Sequence, residues 1–309
     1  MEPLGDDARY QPSPAGPGSA AAPQDGGSTD GLRVAPATAQ EWLEVEQWAA
    51  EEQWNPGLED TGCFHPTDPG GFFLGRLDGE PVSAVSVVEY SDSYAFLGYY
   101  LVRPQVRGKG LGMATWQEAV PHAGERTIGL DAVPAQEQTY ARSGFAPAYR
   151  TRRYGGRPGS PGPLSPSVVP VTGEHLDALA EYDEQCFPAP RRDFLVRWLG
   201  APGHRAHMFL SDGRPAGYGV IRKARSGHRI GPLFADTPEA AEALFDALIA
   251  PLSPDGEVYV DIPEPNQAAV SLATSRGMEV GFETVRMYKG TPPELPLDRV
   301  FGVTSLELG

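Results

Sequence analysis

Cysteine is scarce: the 309 residues contain two, Cys63 and Cys186, far apart in the chain. That is too few for a disulfide framework, and a pair of free cytosolic thiols is the expectation. No apolar run approaches the ~20 residues that cross a bilayer, so a membrane span is excluded. The N-terminus has no basic start leading into an apolar stretch, so the expected location is cytoplasmic. Positive charge is also in short supply. With 25 Lys and Arg against 41 Asp and Glu, the net charge is −16. That is the wrong sign for gripping a phosphate backbone, which argues against nucleic acid as a partner. The acidity suits a cationic acceptor, or solubility alone. No His, Cys or Asp cluster has metal-ligand spacing, so no metal is expected. Large apolar residues are nearly missing from 1–31, where Pro, Gly, Ala, Ser and Asp dominate. Such a segment cannot bury enough surface to offset its ordering entropy, and a disordered tail is expected.

What is present is enough for two packed cores: 40% hydrophobic residues, with 12 Phe, 12 Tyr and 5 Trp. From Leu32 a short strand leads to Thr38, a capping residue for a helix carrying Trp42, Val45, Trp48 and Ala49 at helical spacing. The Pro- and Gly-rich stretch 55–71 reads as a loop over a site. Strands follow at 72–77, 81–90 and 94–102, the first two joined by an Asp78-Gly79 turn. A helix is expected over 113–120, a strand over 127–133, a helix over 135–143 and a strand over 145–154. Residues 157–167, rich in Pro and Gly, read as a linker. The order of elements then repeats from 168 to 288, so the economical reading is a mixed α/β fold in two copies. Domains are expected at 32–156 and 168–309.

The segment 103–114 lies between a strand and a helix. Gly108, Gly110 and Gly112 stand at alternate positions, where backbone N–H groups can converge on one point without Cβ atoms intervening. A helix N-terminus there favours negative charge, and Arg107 and Lys109 add positive charge at the rim. These features describe a pyrophosphate site. Lys109 is followed by Gly110 and Leu111, which excludes a Walker loop, and the dinucleotide glycine spacing is absent.

Arg107-x-x-Gly110-x-Gly112, preceded by Val102-x-Pro104 and followed by Tyr140-Ala141-Arg142-Ser143-Gly144-Phe145, resembles the GCN5-related N-acetyltransferases. The order of elements and the C-terminal segment 301–309 resemble the two-domain subgroup with an acetyltransferase-like C-terminal domain. The resemblance implies two tandem domains, each a mostly antiparallel twisted sheet with flanking helices and a splayed central strand pair. It implies acetyl-CoA, or another acyl-CoA, as co-substrate. Backbone N–H groups of Arg107, Gly108, Lys109, Gly110, Leu111 and Gly112 would hold the pyrophosphate. A backbone N–H at Leu101 or Val102 would polarise the thioester carbonyl, and Tyr140 would protonate the departing thiolate. One departure stands out: family members often carry Asn seven residues before that Tyr, and here the position is Val133.

In the second half Asn266 stands at the Asn position, but Ala273 replaces the Tyr. The segment 231–236 has no glycine cradle, and Asp236 stands at the expected phosphate position. This half reads as a degenerate copy that walls the acceptor pocket. For the general base Glu89 is the first choice, with Asp92, Asp131, Glu51, Glu52, Asp60 and His65 as alternatives. The expected function is N-acyl transfer from acetyl-CoA to an amine on a small molecule or peptide, by a monomer. Two alternatives remain: a longer acyl chain delivered by coenzyme A or an acyl carrier protein, and a non-catalytic acyl-CoA sensor. The large residues Phe96, Tyr99 and Tyr100 point to a short acyl tunnel.

Overall fold

The computed structural model describes residues 29–309; the expected tail over 1–31 lies almost wholly outside them. In chain order the first half forms β1 (Leu32–Pro36), α1 (Ala39–Glu51), α2 (Asp60–Phe64), β2 (Phe72–Leu77), β3 (Glu80–Glu89), β4 (Tyr94–Val102), α3 (Leu111–Ala119), β5 (Thr127–Ala132), α4 (Glu137–Arg142) and β6 (Ala146–Gly156). The second forms β7 (Val168–Pro170), α5 (Leu176–Asp183), α6 (Arg192–Gly200), β8 (Arg205–Ser211), β9 (Arg214–Lys223), β10 (His228–Ala235), α7 (Pro238–Ile249), β11 (Val258–Pro263), α8 (Gln267–Ser275), β12 (Glu279–Lys289) and β13 (Val300–Gly302). Local chemistry explains many of the ends. Thr38 and Glu41 form a reciprocal capping box at α1, and Thr237 caps α7, with Pro238 in its first turn. Among the described residues no helix is long and apolar enough to cross a membrane.

The two copies share one continuous sheet, in the order β1-β2-β3-β4-β5-β12-β6-β11-β10-β9-β8-β7, with β13 paired to β10. β12 enters the first half between β5 and β6, while β6 lies between β12 and β11. Each half thus lends its last long strand to the other. The helices complete two layers around this sheet. One face carries a core common to both halves, in which Trp42, Phe64 and Tyr99 belong to the same cluster as Phe194, Trp198 and Tyr218. The remaining apolar residues form separate clusters, around Trp116 and Leu130 in one case and around Leu244 and Val260 in the other.

The stretch 55–71 differs from the expected loop. It contains α2, and Phe64 packs against Phe194 at 4.6 Å and Trp198 at 5.3 Å between ring centroids. Buried Asp60 accepts hydrogen bonds from Arg222 at 2.8 and 3.2 Å. Composition conceals such an element because what holds a five-residue helix together lies in the other half of the chain.

Candidate active site

β4 and β5 run parallel and pair only from Tyr94↔Thr127 to Leu97↔Leu130; beyond these residues they part. The ladder between β3 and β4 slips between Ala84 and Ser86, so that β4 bulges at Tyr99 and Tyr100. Tyr99 has φ +46, an uncommon value for a bulky residue. The bulge re-aims the strand and opens a cleft lined by Tyr99, Tyr100, Leu130, Val133 and Tyr140, among others.

The direction of the backbone groups follows from the ladder. Arg103 N–H donates to the Val82 carbonyl at 2.9 Å, with Ser83↔Val102 and Ala84↔Leu101 in register. Alternation therefore turns Leu101 toward β3 and turns the Val102 N–H and C=O toward the parted side. Arg107 Nε donates to the Val102 carbonyl at 2.9 Å, and its guanidinium also pairs with Glu52 at the end of α1. The Arg107 side chain thus joins the rim of the cleft to α1.

The glycine-rich turn leads straight into α3. Gly110 is the N-cap at φ +79, with no side-chain cap hydrogen bond, so the first N–H groups of the helix stay available to an anion. A Cβ on Gly112 would lie 2.6 Å from Val102 Cγ2 and 2.9 Å from Tyr100 Oη. Only glycine lets α3 approach β4 so closely. Gly108 and Lys109 are exposed at the rim.

Tyr140 projects from α4 into the cleft and is half-buried. Its ring lies 5.7 Å from Trp116 and 6.2 Å from Phe145. Desolvation, with Tyr100 nearby, raises its phenol above the ordinary value, so it holds its proton at neutral pH.

The structure does not bring Glu89 to this cleft. It pairs with Ala95 in the ladder, toward the opposite end of β4 from the bulge, and its carboxylate sits 2.8 Å from Arg126. Asp68 and His122 join it there, ligand atoms within 4.8 Å of one another. Residue spacing could not reveal that grouping. Its lone pairs are largely engaged internally: Asp68 accepts from His122 Nε2 at 2.8 Å and from the Glu89 N–H at 2.9 Å.

Other candidate bases are committed elsewhere. Asp60 is under Arg222, and His65 Nε2 lies 2.9 Å from the Ala37 carbonyl. Glu51 and Asp92 are exposed. Asp131 does line the cleft, but Arg286 grips both its oxygens, at 3.0 and 2.7 Å. The expectation that the second half walls the pocket names no residues; Phe282, Thr284, Leu306 and Glu307 of that half line the cleft, together with Trp54 of the first. The sequence singles out the segment 301–309 by its resemblance alone; in the structure its Val303, Leu306 and Leu308 are buried.

The second half repeats the geometry and then closes it. β10 and β11 pair in parallel only from His228↔Val258 to Ile230↔Val260, and the β9–β10 ladder slips between Ile230 and Leu233. β13 fills the opening, with Leu233↔Gly302 and Phe234↔Val300 in register, and the Val303 N–H donates to the Asp261 carbonyl at 2.9 Å. Asn266 donates to the Val300 carbonyl at 3.0 Å and the Asp298 carbonyl at 3.1 Å. Asp236 accepts from Tyr182 at 2.8 Å and pairs with Arg299 at 2.6 Å. The chain's own tail occupies this notch.

Comparison with known proteins agrees with this geometry. Residues 39–145 match the acetyltransferase (GNAT) family model, and 179–302 match an acetyltransferase (GNAT) domain model. Over 274 residues the chain is 35% identical to holothin acyltransferase of Pseudoalteromonas sp. (strain SANK 73390), covering 89% of this chain and 93% of that protein. A crystal structure from Pyrococcus horikoshii superposes with TM-score 0.77 at 23% identity, covering 93% of this chain and 99% of that one. A tandem GNAT protein from the clavulanic acid biosynthesis pathway superposes with TM-score 0.59 at 17% identity, covering 84% and 99%. At these identities the superpositions speak for the fold alone. Members of the GNAT family take acyl-CoA as co-substrate and act on amine acceptors. Two family-model domains, an open cleft in the first and an acyltransferase relative spanning most of its length lead to one conclusion: the chain belongs to the GCN5-related N-acetyltransferase family, as a tandem-domain acyltransferase.

Proposed function

We propose that the first half binds acyl-CoA and transfers its acyl group to an amine, the second half serving as scaffold and acceptor-side wall. The observation that carries this reading is the contrast between the halves: one parted strand pair is open beside a glycine cradle, the other is filled by β13. The thioester supplies the activated acyl group. The backbone N–H groups of residues 107–112 bind the pyrophosphate at the start of α3. The Val102 N–H faces the side where the thioester carbonyl would lie and stabilises charge developing on its oxygen. Tyr140 holds a proton for the leaving sulfur. The amine nitrogen forms a bond to the carbonyl carbon as the C–S bond breaks, and the proton lost by nitrogen is balanced by the one gained by sulfur.

A short acyl group fits best. Tyr99 and Tyr100 line the cleft, whereas Phe96, the third residue expected to shorten the tunnel, is buried in the shared core; Leu306 and Glu307 line the cleft from the C-terminal segment. Holothin, the acceptor in the relative's name, is the first acceptor to test. The experiment is calorimetric titration with acetyl-CoA, CoA and a long-chain acyl-CoA, together with thiol release in the presence of holothin. Binding that Gly110→Glu abolishes, with acetyl-CoA preferred, is the expected result. Absence of acyl-CoA binding would overturn the reading.

A further inference from the structure

The grouping of Asp68, Glu89 and His122 stands away from the cleft, and the acyl-transfer reading makes no use of it. Each of the three side chains offers one ligating atom, and these atoms lie within 4.8 Å of one another. They come from three segments: Asp68 precedes β2, Glu89 ends β3 and His122 follows α3. The sequence-based expectation of no metal rests on spacing, and spacing cannot register residues this far apart.

The surroundings orient the three groups. Asp68 Oδ1 accepts from the Gly70 N–H at 3.2 Å, and Oδ2 accepts from the Glu89 N–H at 2.9 Å. Two glycines let the turn close on the cluster. A Cβ on Gly71 would lie 2.5 Å from Asp68 Oδ2, and one on Gly70 would lie 3.3 Å from His122 Cε1. The Phe73 ring meets the His122 ring edge to face at 5.6 Å. Arg126 pairs with Oε1 of Glu89, which leaves Oε2 as the ligating oxygen. Metal ligands are commonly held in this way, each carboxylate or imidazole aimed by a surrounding layer of contacts.

Charge points in the same direction. Arg126 lies 2.8 Å from Glu89 and 4.0 Å from Asp92, and Asp68 stands beside Glu89. Three carboxylates against one guanidinium leave an excess of two negative charges, which one divalent cation balances. The side chains of Asp68, His122 and Glu89 are 13%, 26% and 27% exposed, so an ion reaches them from solvent and keeps water as a further ligand. The contact it displaces is the one between His122 Nε2 and Asp68 Oδ2, at 2.8 Å. Both atoms then bind the metal, and the ring proton sits on Nδ1.

An imidazole with two carboxylates suits zinc and its first-row neighbours, whereas Mg²⁺ and Ca²⁺ take oxygen ligands. We propose that Asp68, Glu89 and His122 bind one Zn²⁺-class cation, which clamps the segment after α3 to the end of β3 and the turn at 68–71. Small side-chain rotations suffice, since the ligand atoms of tetrahedral zinc lie ~3.3 Å apart. The ion is structural: it touches neither the glycine cradle at the other end of α3 nor the cleft.

The full chain, stripped with a chelator and desalted, is titrated with Zn²⁺ by calorimetry and with Co²⁺ by visible absorption. One ion per chain is expected. His122→Gln and Glu89→Gln, each checked for folding by circular dichroism, should weaken binding by at least ~10-fold. Zn²⁺ at a hundred times its Kd should raise the thermal midpoint of the parent by ~5 °C and leave that of both variants unchanged. If one variant fails to fold, the other decides. Failure of the parent to bind either ion would overturn the proposal, as would binding in a folded variant as tight as in the parent. A site that takes Mg²⁺ or Ca²⁺ in preference to Zn²⁺ would overturn it too. None of these readouts involves acyl-CoA, so the proposal stands or falls separately from the acyl-transfer reading.

Discussion

Gly98 on β4 lies directly against the backbone of Glu307: a Cβ there would sit 2.8 Å from the Glu307 carbonyl carbon and closer still to its oxygen. The residue after the last paired position of the parted strands thus receives the C-terminal segment, more than 200 positions away in sequence. Gly98→Ala should push the segment off β4, costing ~1–3 kcal/mol of stability and most of the transfer activity. Gly62→Ala is the control, because a Cβ there meets nothing within 4 Å. Thermal unfolding and turnover of the two variants, measured side by side, check this.

Arg107 offers a second test, because its side chain is engaged by Val102 and Glu52. Arg107→Ala should loosen the turn that aims the backbone donors and weaken acetyl-CoA binding by roughly tenfold, about 1.4 kcal/mol. Glu52→Gln should have a smaller effect, since the bond to Val102 survives. Calorimetric Kd values decide.

Tyr140→Phe keeps the ring among Trp116 and Phe145 and removes the proton. A kcat reduced by about 10²-fold with unchanged acetyl-CoA Kd is expected. Equal losses in both would make Tyr140 a wall of the cleft rather than a proton donor.

One chain should bind one acyl-CoA, since β13 occupies the second notch and Asp236 stands at its mouth with Arg299. Titration stoichiometry reads this directly, and Gly110→Glu should remove all binding rather than half of it.

Stability should depend on pH through Glu46, a residue of α1 that is 6% exposed. Burial pushes its carboxyl up to about 7 from an ordinary 4.5, against the hydrogen bonds from Thr61. Between those values the native state keeps a proton that the unfolded chain releases. Stability therefore falls as pH rises through the window and levels off above about 7. Glu46→Gln should be more stable than the parent at pH 8, by up to ~3 kcal/mol, and indistinguishable from it below pH 4.5. Denaturant titrations at the two pH values check the sign. Asp261 behaves oppositely. Burial alone would raise its carboxyl, but Arg153 and Arg229 more than offset this and hold it at about 2. Its contribution persists until strongly acid pH.

The sequence by itself determined the local elements and the cradle. Thr38, Asp78-Gly79, Thr237-Pro238 and the glycines at 108, 110 and 112 act through near neighbours, so their consequences are written within a few residues. The order of elements disclosed two copies of one unit, and Tyr140 with Gly144-Phe145 pointed to the family. Only the tertiary structure decided what surrounds the cleft. The exchange of β6 and β12, the filling of the second notch by β13, the meeting of Glu307 with Gly98 and the position of Glu89 all depend on pairings between distant segments. No periodicity encodes such pairings. Glu89 misled for that reason: a carboxylate at a strand end looks the same in sequence whether the strand's other end or its own borders the site. The residues of the far wall of the cleft were hidden likewise, although its origin in the second half was expected: Trp54, Phe282 and Leu306 come from separate segments and become neighbours only when the two halves share one sheet and one core.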